Sequence, residues 1–404
     1  MRHGLPPPPI TWPFASDAPL ADWREAGIGP DAVDDHRRVT RDNWRLYPYV
    51  RWAIQHTREL VPSRGIDPGE HRRPLPVRPM ALADIPFTVE GHATTWGRFV
   101  DGGCHDAILV IQRGAVLFEH FANGMAPTRP HMLFSITKSI VGLVAEILIA
   151  QGTIRESVTA AELVPELAES AFGGAALRSL LDMVDNVAFE ERYGDDDAEL
   201  HKYSRGFWTP SAGLGGVRAL LPWLGERSAM PTGRFAYRTP VADVVGWMLN
   251  RATGQRLADL VVDHVWHPAG CGDEAYMLVD TAGHEIAGTG FNASPYDLAR
   301  LATWLIDDAN VALRLRLEGQ GAAPSIVGQT RSGIADAYRS FWWQGSTPEP
   351  WIGARGVYGQ QLWINPRNDL AIICLSSWPT PDTSRLEQVY ATAFAAVTAA
   401  LAVS

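Results

Sequence analysis

Two pairs of β-rich runs near opposite ends of the chain, with a helical middle between them, constrain its fold most strongly. The first pair, "DAILVIQRGAVLFEHF" (106–121), turns at "RG" and predicts a hairpin. The second pair, "GVYGQQLWINP" (356–366) and "DLAIICLSSW" (369–378), is separated by "RN" and predicts another hairpin. Residues 160–280 follow helical periodicity, as in "VADVVGWMLNRATG". This order predicts an α+β protein with an antiparallel sheet built from N- and C-terminal strands, flanked by helices, with an inserted helical lobe.

The chain divides into three predicted parts that form one catalytic unit. Residues 1–85 are rich in Pro, Arg and Trp and predict an irregular N-terminal arm packed on the body, with one helix around 43–60. Residues 86–160 and 281–404 predict an α/β lobe, and 161–280 a mainly helical lobe. Ser294 and Pro295 are typical of a helix start in "SPYDLARLATWLID", and 383–402 predicts a closing amphipathic helix.

Composition excludes several classes of function. The 404 residues carry a formal net charge of −10 and no Lys/Arg run, which argues against nucleic-acid binding. No apolar stretch reaches the roughly 18 to 20 residues of a membrane span. "MRHGLPPPPITWPF" lacks the apolar core of a secretory signal. Three distant cysteines, without a CxxC pair, are typical of a reducing compartment, so we predict a cytoplasmic protein.

A lysine on an apolar helix is the strongest chemical signal. Lys138 is one of two lysines among 35 Lys and Arg residues, and it stands three positions after Ser135 in "HMLFSITKSIVGLVAEILIAQG". Residues three apart share a helix face, and desolvation lowers the pKa of a lysine amine. A neutral amine beside a serine hydroxyl can take its proton, which predicts a nucleophile and base pair. The alternative is that Ser135 only starts the helix and Lys138 is a snorkelling surface side chain.

Two further elements extend this pair into a family pattern. "SITK" resembles the S-x-x-K motif of serine β-lactamases and penicillin-binding proteins. "GRFAYRTP" places Tyr237 just before a helix, which resembles their tyrosine element, and "GVYGQQLWINP" resembles their late strand. The order and spacing of "LLDMVDNVAFEERY", "FWWQG" and "LSSWPTPDT" resemble the 6-aminohexanoate-dimer hydrolases (nylon-oligomer hydrolases) over nearly the whole length. The resemblance therefore implies a β-lactamase/penicillin-binding-protein-like fold.

The resemblance also implies catalytic roles. Ser135 would be the nucleophile, Lys138 its base, and Tyr237 the group that relays a proton to the leaving amine or alcohol. A phenol near a lysine can share its proton, so this role also has a chemical rationale; the alternative is a core aromatic with a satisfied hydroxyl. The backbone N–H groups of Ser135 and Val357, the latter on the late strand, would form the oxyanion hole.

Substrate contacts follow from the same resemblance, with three departures. Tyr193 matches a tyrosine that closes over the bound amide, and Trp208 a lid-like tryptophan; either could instead pack locally. Thr239 replaces the motif asparagine of class C β-lactamases. Tyr358 stands at a substrate-binding position where those enzymes have Lys and the nylon hydrolases His, and Gly288 where the latter have a substrate-contacting asparagine. The missing cation argues against β-lactams and D-Ala-D-Ala peptides.

These features predict a serine hydrolase that cleaves small linear amides through an acyl-enzyme. A carboxylesterase for short acyl esters is the close alternative, and a non-turnover binding or sensor domain of the same fold is the alternative of another class. We predict no cofactor and no metal: His284 in "GHEIAG" lacks a second histidine four residues on. The partner would be a small-molecule amide or ester, without nucleic acid or membrane, and the resemblance is consistent with a homodimer.

Overall fold

Strands from opposite ends of the chain meet in the computed structural model of this protein. The structure describes residues 22–189, 191–193, 197–208, 215–227, 233–319, 324–327, 329–330, 333–381 and 384–402. The strands in these residues are β1 Ser63–Ile66, β2 Pro86–Val89, β3 His92–Thr95, β4 His105–Gln112, β5 Ala115–Phe121, β6 His131–Met132, β7 Val187–Ala188, β8 Glu226–Arg227, β9 Ala275–Leu278, β10 Phe291–Ala293, β11 Ala337–Arg339, β12 Trp342–Gly345, β13 Trp351–Gly356, β14 Gln360–Asn365 and β15 Leu370–Ser376. The α-helices are α1 Val50–Ala53, α2 Thr57–Leu60, α3 Trp96–Gly102, α4 Ile136–Ala150, α5 Ala160–Leu163, α6 Leu177–Leu181, α7 Glu199–Trp208, α8 Val217–Leu220, α9 Thr239–Thr253, α10 Leu257–Val261, α11 His267–Ala269, α12 Pro295–Ile306, α13 Val311–Glu318 and α14 Ser384–Ala402.

The main sheet confirms the predicted α+β architecture. It has the strand order β11-β12-β13-β14-β15-β4-β5 and is antiparallel throughout. The two predicted hairpins, β4–β5 and β14–β15, adjoin where Cys374 pairs with Ile108. Every residue of β4 and β15 is buried, and α12 packs on both strands. Helix α4 packs on β13 and β14, and Phe394 of α14 packs against Trp363 of β14. Sheet and helices thus share one hydrophobic core.

Helix α4 lies inside this core and carries the serine–lysine motif at its start. Its residues from Ile136 to Glu146 are all buried. It contacts β13 and β14 of the sheet, and also α9 and α13. A helix that is apolar on all sides is stable only when it is surrounded by protein, and the run "IVGLVAEILIA" meets that condition here.

The N-terminal arm is more integrated and less helical than predicted. The single helix expected around 43–60 is two short helices, α1 and α2, because His56 leaves the helical conformation with φ −136°. Its Nδ1 lies 2.7 Å from the Trp52 carbonyl oxygen, which also accepts the Gln55 N–H at 3.2 Å. Strand β1 then joins a second sheet of order β1-β9-β10-β6. The predicted lobe boundary at 280/281 therefore falls inside this sheet, between β9 and β10.

The later helices begin where the sequence indicates. Helix α12 starts after Ser294, whose side chain accepts a hydrogen bond from the Asp297 N–H, and it has Pro295 at its first position. This confirms the predicted N-cap. The closing helix predicted at 383–402 is α14, Ser384–Ala402. Helix α12 covers β4, β14 and β15 of the main sheet, and Phe394 of α14 packs against Trp363 of β14.

Candidate active site

The predicted nucleophile and base are in contact. Lys138 Nζ lies 2.8 Å from Ser135 Oγ and donates a 2.6 Å hydrogen bond to the Gly288 carbonyl. The Lys138 side chain is fully buried, and Ser135 is 9% exposed. A snorkelling surface lysine is therefore wrong for this chain. The helical spacing of three residues brings the two groups together, and Gly288 fixes the amine from the far side.

Burial and two carboxylates set the charge of this lysine. Desolvation lowers the pKa of the Lys138 amine to about 8, while the negative charges of Glu191 and Asp243 act in the opposite direction. Asp243 accepts hydrogen bonds from the Tyr203 hydroxyl (2.6 Å) and the Gly288 N–H (3.1 Å). Burial raises the pKa of Asp243 to about 6. About a tenth of the amine is then neutral at pH 7, far more than for an ordinary lysine, and a general base needs this neutral form.

Tyr237 completes the predicted catalytic set. Its ring centre lies 5.1 Å from Lys138 Nζ, and its side chain lines the same cavity as Ser135. Burial, with the nearby charge of Glu191, raises the pKa of the Tyr237 phenol. Trp343 of β12 stacks on the ring at 5.6 Å and 15°. Tyr237 is thus a neutral phenol in the wall of the cavity that holds Ser135, a position that fits its predicted role better than that of an isolated core aromatic.

The two predicted oxyanion donors face the same cavity from different elements. Ser135 precedes α4, and the residue before it, Phe134, has φ +46°, a costly conformation for a bulky side chain. Val357 was predicted on the late strand, but it lies in the turn 357–359 between β13 and β14. The pairing of these two strands ends at Gly356 and Gln360. Among the described residues, neither amide N–H has a hydrogen-bond acceptor. Both are available for a developing oxyanion.

A glycine permits the close approach of these two segments. A Cβ atom at Gly356 would lie 2.4 Å from the Leu133 carbonyl oxygen, a distance that real structures do not tolerate. Tyr358, on the other side of Val357, packs against Phe134 with ring centres 5.2 Å apart and the ring planes tilted by 35°. These contacts hold the turn against the start of α4 and so place the two amides at one cavity.

Ser135 opens into a cavity of about 310 Å³ with aromatic and charged walls. The residues that line it are Ser135, Glu191, Tyr193, Phe235, Tyr237, Gln329, Thr330, Trp343, Arg355, Gly356, Val357, Trp378, Pro381 and Glu387. Its size suits a small linear molecule.

Of the four residues predicted to contact substrate, Tyr193 is the one among the described side chains that lines the cavity. Tyr193 lines the cavity, and its hydroxyl donates to Glu191 at 2.8 Å. Trp208 is the last residue of α7, and its side chain lies outside the described part of the structure.

Tyr358 and Gly288 support the site instead of lining it, which corrects their predicted role. Tyr358 is 5% exposed and donates a 2.7 Å hydrogen bond to the Arg45 carbonyl of the N-terminal arm. The positive φ of Tyr358, 62°, turns its ring toward Phe134. Gly288 is buried beneath Lys138, and a Cβ there would lie 2.8 Å from Asp243 Oδ2, so a larger residue would displace that carboxylate.

Several site residues were missed by sequence reasoning. Glu191 accepts hydrogen bonds from the Thr239 N–H (2.5 Å) and hydroxyl (2.7 Å) at the start of α9. Asp243 is the single charged residue in the apolar run "PVADVVGWMLN", a signal that could have found it. Arg355 and Glu387 are far apart in sequence and are brought to the cavity by β13 and α14. No local pattern marks either of them.

Other kinds of site find little support in the described residues. Across these ranges, no group of three or more His, Cys, Asp or Glu side chains is arranged to hold a metal ion. No helix in the same residues combines the length and apolar character needed to cross a membrane.

Comparisons with known proteins place the chain in a family. Residues 105–397 match the Beta-lactamase family. The chain is 31% identical over 359 residues to the 6-aminohexanoate-dimer hydrolase of Paenarthrobacter ureafaciens, a match that covers 85% of this chain and 89% of the relative.

Solved structures share the fold. A Bacillus anthracis protein provisionally assigned as a 6-aminohexanoate-dimer hydrolase has a TM-score of 0.77 at 24% identity, covering 90% of this chain and 97% of its own. EstCE1, a hydrolase with promiscuous acyltransferase activity, has a TM-score of 0.57 at 17% identity, covering 74% and 96%. With the family match over most of its length and a 31% identical relative, the chain belongs to the β-lactamase family of serine hydrolases and is similar to a 6-aminohexanoate-dimer hydrolase.

Proposed function

We propose that this protein hydrolyses small linear amides through an acyl-enzyme on Ser135. The observation that carries the proposal is the 2.8 Å contact between Ser135 Oγ and the buried Lys138 amine, whose pKa burial lowers to about 8. A neutral amine at this distance can accept the hydroxyl proton as Oγ attacks the amide carbonyl.

The remaining steps use groups that are already in place. The N–H groups of Ser135 and Val357 stabilise the negative charge on the carbonyl oxygen. Tyr237, in the same cavity as Ser135 and with its ring 5.1 Å from Lys138 Nζ, gives its proton to the leaving nitrogen as the C–N bond breaks, and the Lys138 ammonium restores the phenol proton. Water then attacks the acyl ester. Its proton passes to the neutral Lys138 amine, and the resulting ammonium returns a proton to Ser135 Oγ as the ester C–O bond breaks.

The substrate class rests on the cavity and on the relative. A volume of about 310 Å³ with aromatic walls fits a short chain better than a polymer. The 31% identical relative is named for the 6-aminohexanoate dimer, a linear amide. A carboxylesterase activity on short acyl esters is the second candidate, because an alkoxide leaving group needs less help from Tyr237. The fold is shared with a hydrolase that has promiscuous acyltransferase activity.

Intact-protein mass spectrometry after brief exposure to p-nitrophenyl butyrate tests the proposal. We expect a butyryl adduct on the wild-type protein and none on Ser135→Ala. Ser139→Ala is the matched control, since Ser139 lies one turn further along α4 and donates to the Phe341 carbonyl (2.6 Å). We expect it to be acylated like the wild type. Turnover of the 6-aminohexanoate dimer then separates amidase from esterase, and no adduct together with no turnover would leave a non-turnover member of the fold.

A further inference from the structure

His131 and Asp106 form a fully buried pair that the proposed reaction does not use. His131 lies on β6, shortly before Ser135 in the chain, and Asp106 lies on β4. His131 Nε2 is 3.0 Å from Asp106 Oδ2, and both side chains are 0% exposed. Neither belongs to the described residues that line the cavity of Ser135. Any effect of this pair on the reaction must therefore pass through the segments that it holds.

The contacts of this pair indicate that both groups are charged. His131 Nδ1 lies 3.0 Å from the Met132 carbonyl oxygen, and Nε2 lies at the Asp106 carboxylate. Carbonyl and carboxylate oxygens only accept hydrogen bonds, so both ring nitrogens must carry a proton to make these contacts. Asp106 Oδ1 also accepts the Asn123 amide (2.9 Å) and the Ser377 hydroxyl (2.8 Å). Three donors around one carboxyl group are typical of its ionised form, so the pair is an imidazolium and a carboxylate.

His131 holds the segment that leads to the first oxyanion donor. Its ring contacts the carbonyl of Met132, whose own N–H donates to the Ile54 carbonyl of the N-terminal arm (2.8 Å). The N–H of Leu133 then donates to a carbonyl of β10 (2.9 Å). The chain reaches Ser135 directly after this anchored segment. A displacement of β6 would therefore move the Ser135 N–H.

Asp106 holds the segment that carries the second oxyanion donor. The Ser377 hydroxyl donates to Asp106, and the next residue, Trp378, donates its N–H to the Tyr358 carbonyl (3.1 Å). Tyr358 follows Val357 directly in the turn between β13 and β14. A displacement of Asp106 would thus pass through two hydrogen bonds to the turn that presents the Val357 N–H.

We infer that the His131–Asp106 pair positions the two oxyanion donors relative to each other, by tying the segment before Ser135 to the segment that carries Val357. The cost of taking two charges out of water offsets much or all of their attraction, so a buried ion pair adds little stability compared with apolar residues of similar size. It does fix the distance between the elements that it joins. The inference rests on the proposed function and goes beyond it by assigning two positioning residues outside the cavity. The competing explanation is that the pair only stabilises the fold.

Variants of both residues distinguish these explanations. His131→Gln and Asp106→Asn keep polar groups of similar size but break the ion pair. Because a displacement of about 1 Å at a catalytic group can cost 100-fold in rate, we expect each variant to lower kcat for p-nitrophenyl butyrate roughly 10- to 100-fold, with KM nearly unchanged.

A transition-state analogue reports on the oxyanion hole itself. Butylboronic acid forms a tetrahedral adduct with a nucleophilic serine, so its affinity should fall together with kcat, whereas inhibition by the product butyrate should not change. The double variant leaves neither charge unpaired, and its loss in kcat should be smaller than the product of the two single losses. Losses that multiply in full would mean that the two residues do not act as a pair.

Leu167→Ala separates positioning from stability. Leu167 lies between α5 and α6, is fully buried and is not among the described residues that line the cavity. Its truncation lowers the free energy of unfolding by leaving a void in the core, and we expect wild-type kcat and boronate affinity from it. If His131→Gln and Asp106→Asn are destabilised in the same way but also keep wild-type kcat and boronate affinity, the inference is wrong.

A milder variant serves if these two do not fold. Ser377→Ala removes one donor to Asp106 and leaves the ion pair in place. We expect a smaller loss of kcat and of boronate affinity in the same direction. Wild-type values of both in Ser377→Ala would contradict the proposed connection to Val357.

Failure of the proposed function gives a different result. If wild-type protein is not acylated by p-nitrophenyl butyrate, the hydrolase proposal fails, while proton–nitrogen NMR spectra still test the pair. We expect both ring nitrogens of His131 to be protonated at neutral pH, with the signals assigned by their loss in His131→Gln. The Val357 amide signal should shift in His131→Gln but not in Leu167→Ala. A neutral His131 ring, or a Val357 amide that does not respond, contradicts the inference.

Discussion

At the scale of single residues, activity should follow the protonation of Lys138. The amine is protonated below its pKa of about 8 and cannot then accept the Ser135 proton. We therefore expect kcat/KM for p-nitrophenyl butyrate to rise with pH and to reach half of its plateau near the Lys138 pKa. Stopped-flow acylation rates over this pH range measure directly the rising part of the pH–rate profile, which we call the limb. A rate that is flat across it would mean that the serine proton goes elsewhere.

Asp243 should set where this limb lies. Its charge raises the pKa of Lys138, and its own pKa of about 6 leaves it ionised where the limb occurs. Asp243→Asn removes the charge and can keep the hydrogen-bonded shape, so the Lys138 pKa should fall and the limb should move to lower pH. Asp84→Asn, at an exposed position, is the control. A limb that stays in place in Asp243→Asn would show that the carboxylate only positions Gly288.

Site residues that lie in short sequence motifs could be predicted. Site residues that are distant in sequence and meet only in the folded chain could not. Ser135, Lys138 and Tyr237 lie in short motifs, and the structure brings all three together. Arg355 and Glu387 meet only because β13 and α14 pack side by side. Tyr358 was misplaced for the opposite reason: its motif gives its position along the chain, but not the positive φ that turns its ring toward Phe134.

At the scale of elements, the oxyanion hole depends on how closely the end of β13 approaches the start of α4. Gly356→Ala places a Cβ 2.4 Å from the Leu133 carbonyl, so the two segments must separate and Val357 must shift from Ser135. Because loss of one oxyanion donor costs roughly 100- to 1000-fold in kcat, we expect a loss of this order with the fold retained. Gly65→Ala is the control, since a Cβ on this β1 residue meets nothing within 4 Å. Steady-state kinetics with circular dichroism tests both, and near-normal kcat in Gly356→Ala would mean that Val357 is not a donor.

Long elements with strong periodicity were predicted, whereas short ones that need distant partners were not. The hairpins β4–β5 and β14–β15 and the helices α4, α12 and α14 agree with the sequence patterns. Strands β6 and β10 have only two and three residues. They form because β6 pairs with β10, and β10 pairs in turn with β9. Such pairing leaves no local signal, which is why the second sheet and the break between α1 and α2 were missed.

At the scale of the whole molecule, the N-terminal arm is part of the core that supports the site. Arm residues Trp44, Tyr49 and Trp52 are each less than 5% exposed. The arm also contacts the site region directly: the Ile54 carbonyl accepts the Met132 N–H (2.8 Å), and the Arg45 carbonyl accepts the Tyr358 hydroxyl (2.7 Å). The arm therefore stabilises both segments that carry the oxyanion donors.

Two tryptophans at opposite extremes of exposure test this integration. Trp44 is 2% exposed, while Trp223 is 85% exposed. Because removal of a buried Trp costs about 3–5 kcal/mol, Trp44→Ala should lower the free energy of unfolding by that amount. Trp223→Ala should change it by less than about 0.5 kcal/mol, as exposed substitutions usually do. Urea unfolding followed by circular dichroism compares the two variants with the wild type. If Trp44→Ala has the same urea midpoint of unfolding as the wild type, the arm is peripheral to the fold. If its free energy of unfolding falls as expected, the arm is as much a part of the cooperative fold as the main sheet.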